Sequence, residues 1–152
     1  MTRLQQGSEL DGFSIGPLMH AGAMARIYCV TYADGRESPF PLVMKVPLMR
    51  EGDGGENIVS FEIEHQLLQV LHGPHLPRFV AAGDLSRIPY LVMEQLAGVT
   101  LEMWMKTFTQ ARDPIPVEVI ARMGGKLAQA VHSLHQQNAC HLDLKPANVM
   151  IS

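Results

Sequence analysis

The chain has 152 residues, 47% of them hydrophobic and 18% charged, with a formal net charge of −3. That length suits one compact domain, and that balance excludes a chain kept disordered by charge and low hydrophobicity. Scattered Lys and Arg without a basic stripe argue against a nucleic-acid partner. The polar start and the absence of an apolar run of roughly 20 residues argue against a secretory signal or a membrane segment, so a cytoplasmic location is expected. Cys29 and Cys140 stand far apart without a C-x-x-C pair, and are expected to be buried thiols in a reducing compartment.

In chain order, residues 1–11 read as a flexible N-terminal segment. From Gly12 to Val46 short apolar stretches predict antiparallel strands at Phe13 to Leu18, Arg26 to Tyr32 and Pro41 to Val46. The Asp34-Gly35 pair suits a tight hairpin turn, with the stretch to Pro41 as an exposed extension. Arg50 to Glu56, with three Gly and three acidic residues, predicts a mobile loop. A helix is expected over Asn57 to Leu71, with Phe61, Glu64, Leu68 and Leu71 on one stripe, ended by His72-Gly73-Pro74. Strands follow at Arg78 to Ala82 and Tyr90 to Glu94. A short helix is expected around Leu101 to Phe108. Pro116 to Gln137 carries the clearest helical pattern, with Val117, Ile120, Gly124, Leu127, Val131 and Leu134 stepping by three and four and Asn138 available at its end.

Lys45 places a charge inside the apolar stretch Leu42-Val43-Met44-Lys45-Val46. An unpaired buried ammonium is costly, so it needs an anion. Glu64 lies on the helix face that must pack on the sheet, whereas Glu62 is rotated by about 200° from it. Glu64 is therefore the expected partner.

The octet His141-Leu142-Asp143-Leu144-Lys145-Pro146-Ala147-Asn148 follows the long helix and precedes the strand candidate Val149-Met150-Ile151. It resembles the catalytic loop H-R-D-L-K-P-x-N of eukaryotic-type serine/threonine protein kinases, with one departure at Leu142. The resemblance implies an α+β fold, protein-kinase-like. Residues 12–96 would form an N-lobe with an antiparallel sheet, one packed helix and the hinge. Residues 97–152 would begin a helical C-lobe and stop before the D-F-G segment.

It also implies roles. Asp143 is the base that orients and deprotonates a hydroxyl, Lys145 reaches the transferred phosphate, Asn148 is a magnesium ligand, and His141 is structural. Lys45 resembles the V-A-I-K lysine on the α- and β-phosphates of ATP, paired with Glu64. Against G-x-G-x-x-G-x-V, the segment Met19 to Tyr28 places His20, Gly22 and Ala25 at the glycine positions, and only Gly22 is glycine. Tyr90 to Leu96 resembles the strand into the hinge, with Met93 as gatekeeper and the Glu94 carbonyl and Leu96 backbone groups on the adenine edge. ATP and Mg2+ are the implied cofactors.

The implied function is transfer of the ATP γ-phosphate to protein Ser/Thr hydroxyls by a longer parent protein, the 152-residue chain alone binding nucleotide at most. Two alternatives stay open: a non-catalytic pseudokinase or interaction module, and a small-molecule phosphotransferase of the aminoglycoside-kinase kind, against which Lys145-Pro146 weighs. Leu142 cannot pair with a phosphate on an activation segment as Arg would. The apolar stripe of helix 116–137 calls for a cover, so self-association or a partner chain is expected there.

Overall fold

The computed structural model describes residues 4–22, 24–48, 56–84 and 86–152, without the side chains of 56 and 57. The loop expected at Arg50 to Glu56 lies outside the described residues except for Glu56, which opens a helix. Contacts divide the chain into two compact units, the described parts of Met1–His72 with Leu76–Gln95, and Gly73–His75 with Leu96–Ser152.

The first unit is built from β1 (Glu9–Leu10), β2 (Phe13–Ala21), β3 (Ala25–Tyr32), β4 (Leu42–Pro47), α1 (Glu56–Val70), β5 (Phe79–Ala82) and β6 (Leu91–Glu94). The strands form one antiparallel sheet in the order β1-β2-β3-β4-β6-β5. Period-2 alternation sorts its side chains into two cores. One face gathers Phe13, Ile15, Tyr28, Val30, Met44, Val46, Tyr90 and Val92. The other gathers Val43, Leu91 and Met93 against Phe61 of α1, with Ile27, Leu68 and Phe79 at its margin. Central β4 is therefore buried on both faces, and Lys45 is its one residue outside the buried class.

The N-terminal segment departs from the expectation of flexibility at its end. Glu9 and Leu10 pair with Ser14 and Phe13 across Asp11 and Gly12, whose φ values are 47° and 86°. Two positive φ angles in a two-residue loop are the geometry that Asp-Gly favours in a hairpin. The second Asp-Gly pair behaves differently. Gly35 has φ 77° and its N–H donates to the Tyr32 carbonyl at 3.3 Å, but β4 resumes only at Leu42, so this is a turn inside a longer connection.

The second unit holds β7 (Val99–Thr100), α2 (Leu101–Ala111), α3 (Val117–Gln136), a 3-10 turn at Pro146–Asn148 and β8 (Met150–Ile151). The Thr100 hydroxyl accepts from the Met103 N–H at 3.2 Å and caps α2. Both helices end alike. Arg112 and Asn138 take left-handed φ of 56° and 57°, and the Asp113 and Ala139 N–H groups donate back to Phe108 and Leu134 carbonyls at 3.1 Å. This six-to-one closure satisfies carbonyls that a helix end leaves open. It carries α2 three residues past the predicted Phe108. β7 and β8 pair antiparallel, which brings the end of the chain to the start of α2.

Along the apolar stripe of α3, Val117 and Ile120 are exposed, Leu127 and Val131 are half-buried, and Leu134 is buried. The cysteines correct the expectation of burial. Cys29 is half-buried on β3, and Cys140 is exposed because it follows the closed end of α3.

Candidate active-site residues

Within the first unit, the Lys45 ammonium donates to both carboxylate oxygens of Glu64, at 2.8 and 2.6 Å. Strand alternation puts Lys45 on the same face as Val43, the face covered by α1, and α1 turns Glu64 toward it three residues after Phe61. Both side chains keep about a third of their surface in water, 28% and 35%. The ammonium is thus held in place without being sealed off, and remains available to an anion. Met93 is buried opposite Val43. The Glu94 side chain is taken by Arg78, whose backbone N–H lies 3.3 Å and side-chain Nε 3.4 Å from Oε2.

Gly22 closes the β2–β3 turn, its N–H donating to the Ala25 carbonyl at 2.9 Å. The His20 ring lies against it, with Nε2 3.1 Å from where a β-carbon on Gly22 would stand. Sequence reasoning missed this contact. The two-residue spacing across a strand end was its only trace.

Within the second unit lie Leu96, Asp143, Lys145 and Asn148. Asp143 Oδ2 accepts from Lys145 Nζ at 2.7 Å and from Asn148 Nδ2 at 3.0 Å. Asn148 Nδ2 also donates to the Asp143 backbone carbonyl at 2.9 Å. The 3-10 turn that Pro146 starts makes this possible, since it brings Asn148 back over Asp143. Leu142 has φ 58°, and the Asp143 N–H donates to the His141 carbonyl two residues back at 2.8 Å. That tight turn aims the aspartate and leaves the Leu142 side chain 95% exposed.

The hydrogen bond from Lys145, aided by that from Asn148, holds the Asp143 carboxyl below its ordinary range against a smaller opposing effect of desolvation. Asp143 is therefore ionised at neutral pH, and its Oδ1 has no hydrogen-bond partner among the described residues. An ionised carboxylate with one open oxygen can accept a proton. Asn148 spends its amide N–H groups on Asp143, so its Oδ1 is the oxygen left for a hard cation. Beside the loop, Met105 of α2 with Pro146 and Ala147 lines a cleft of about 270 Å³ that Lys145 borders.

A model of the protein kinase domain matches residues 9–152. The human serine/threonine-protein kinase ULK3 is 32% identical over 146 residues, covering 94% of this chain and 29% of that protein. The serine/threonine-protein kinase PknB of Mycobacterium tuberculosis is 27% identical over 146 residues, 93% of this chain and 22% of that protein. The chain thus spans well under half the length of these relatives. A crystal structure of the Mycobacterium tuberculosis PknI kinase domain superimposes with a TM-score of 0.78 at 21% identity, over 99% of this chain and 58% of that one. With the family pattern matched across nearly its whole length, this chain belongs to the protein kinase domain family.

Proposed function

We propose that the chain is the ATP-binding portion of a serine/threonine protein kinase that transfers the γ-phosphate of ATP to protein Ser/Thr hydroxyls. The observation that carries this reading is the convergence of Lys145 and Asn148 on one oxygen of Asp143 with its other oxygen open. In this reading the substrate hydroxyl gives its proton to Asp143 as its oxygen bonds to the γ-phosphorus and the bond to the β-phosphate oxygen breaks. Lys145 then offsets charge on the transferred group, and Lys45, steadied by Glu64, holds the α- and β-phosphates. Magnesium held by the Asn148 side-chain oxygen would neutralise phosphate charge. Gly22, Met93, Glu94 and Leu96 take the roles set out above at the phosphate loop, adenine pocket and hinge. We place the residues flanking the substrate hydroxyl in the cleft beside Lys145. A cytoplasmic setting is part of the reading, supported by two free thiols.

The test is transfer of labelled phosphate from ATP to a generic protein substrate by the natural protein that contains this chain. Asp143→Asn should lower the rate about 10²- to 10⁴-fold, the usual worth of a positioned base, and Lys45→Met should also cut it strongly. Unchanged transfer in either variant would remove the assignment. The 152-residue chain alone is expected to bind nucleotide and transfer nothing.

A second reading, a non-catalytic interaction module, is favoured by one observation, the exposure of Val117 and Ile120 on α3. A second copy or a partner chain covering helix 116–137 would account for it. Light scattering that finds a monomer, with no binding of an apolar dye, would count against a cover.

A further inference from the structure

We infer that His20 is a phosphate-contacting residue, and that it makes nucleotide affinity fall as pH rises through the titration of its imidazole. This rests on the reading of the first unit as nucleotide-binding.

The backbone donor that a glycine loop would offer at Gly22 is already spent, because its N–H donates to the Ala25 carbonyl at 2.9 Å. Gly22 instead houses the His20 ring, whose Nε2 and Cδ2 lie 3.1 and 3.5 Å from the position of a β-carbon there. A β-carbon at 22 would press the imidazole back by a few tenths of an ångström. The exposed ring has no hydrogen-bond partner among the described residues, so both nitrogens are open to a ligand.

Sheet register fixes which way this ring is presented. His20 pairs with Ile27, Ile27 with Lys45, and Lys45 with Leu91. Cross-strand partners share a face, so His20 and Lys45 lie in one row on the α1 side, two strand spacings or about 10 Å apart. Two cations in such a row, with an apolar Ile27 between them, suit the ends of one polyphosphate. Few charged groups of the described residues in the first unit face this row. β4 contributes Lys45, and α1 contributes Glu64, which Lys45 already holds. His65 of α1 lies tilted against the Phe79 ring. Arg26, paired with Val46 of the opposite core, lies on the other face.

Protonated imidazole supplies a charge-assisted donor to phosphate, and neutral imidazole does not. Phosphate is therefore held more tightly where the imidazole carries its proton, at the acid end of the range. Titration calorimetry of the 152-residue chain with ATP and excess magnesium at about pH 6 and about pH 8 compares the two ends of the range in which a histidine changes charge. The chain should lose about three- to tenfold more affinity across that interval than His20→Gln, the magnitude of one exposed charged contact. The titration of ATP itself cancels in the comparison. Adenosine should show no histidine-dependent change, and the ring resonances of His20 in NMR should move when ATP, but not adenosine, is added.

Equal pH dependence in the chain and His20→Gln, with ATP bound and Lys45→Met weakening it, overturns the role of His20 and leaves the nucleotide site intact. The same histidine-dependent change with adenosine overturns it too, by placing the effect at the base. No ATP binding at either pH brings down the nucleotide reading and this inference together.

Discussion

The two units reach order by different means. In the first, two layers of apolar side chains close on both faces of one sheet, and its key ion pair joins residues 19 positions apart. In the second, the only buried apolar residues among those described are Leu134 and Ala139, and Asp143, Lys145 and Asn148 meet within one turn. Lys45 is positioned by tertiary packing, while Asp143 is positioned by local backbone geometry. A charge inside a core needs the whole unit to hold it, whereas a charge on an exposed turn needs only a few φ and ψ angles and a proline.

Core truncation should separate the units most strongly. Leu91→Ala, at a side chain with no exposed surface, should cost about 2–5 kcal/mol in urea unfolding. Leu127→Ala, at a half-buried position of α3, should cost about 1 kcal/mol or less. Equal losses would break the contrast.

A smaller effect tests local geometry in the second unit. Gly98 has φ 100°, and a β-carbon there would stand 2.0 Å from the Ile151 carbonyl oxygen. Gly98→Ala should cost about 2–4 kcal/mol through strain and collision and release the β7–β8 pair, read as faster hydrogen exchange at Val99 and Ile151. Unchanged exchange would show that the pair does not depend on that glycine.

The smallest effect belongs to the first unit's N-terminal edge. The Tyr90 hydroxyl donates to Asp11 at 3.0 Å, and burial, then that bond and the Asp11 charge, push its pKa from 10.0 up to about 12. The fold favours the neutral phenol, so its contribution is complete below about pH 10 and is lost as pH rises toward about 12. Tyr90→Phe should cost about 1 kcal/mol at neutral pH and flatten stability over that alkaline interval. An alkaline loss of the same size in Tyr90→Phe would assign it to another group.

These contrasts also explain how far the sequence could be read. The partnership of Lys45 with Glu64 was legible because a charge interrupts an apolar strand and helical phase selects one carboxylate over Glu62. The order of strands and the long helix followed from periods of two and 3.6. β1 was not legible, since a pair of two residues leaves no alternation to count, although Asp11-Gly12 carried a turn signal as good as that of Asp34-Gly35. Phe108 was a natural place to end α2, but where a helix stops depends on which residue turns left-handed, and Arg112 has no preference that would announce it. The hydrogen bonds of Asn148 to Asp143, and the ring of His20 over Gly22, depend on rotamers and were beyond reach of pattern alone.

The brevity of β1 has its own consequence for how copies of this chain meet. Backbone pairing from the N-terminal side reaches only as far as Ile15, whose N–H and C=O are taken by Ser8 and Gly7, so among the described residues the outer margin of β2 has no strand partner from Gly16 onward. An open margin invites a strand from another molecule. Pro17 removes one donor there, and register shifts on both sides of Leu18 bend the strand. The same irregularity that carries β2 toward the turn at Gly22 thus spoils the template for sheet-to-sheet aggregation.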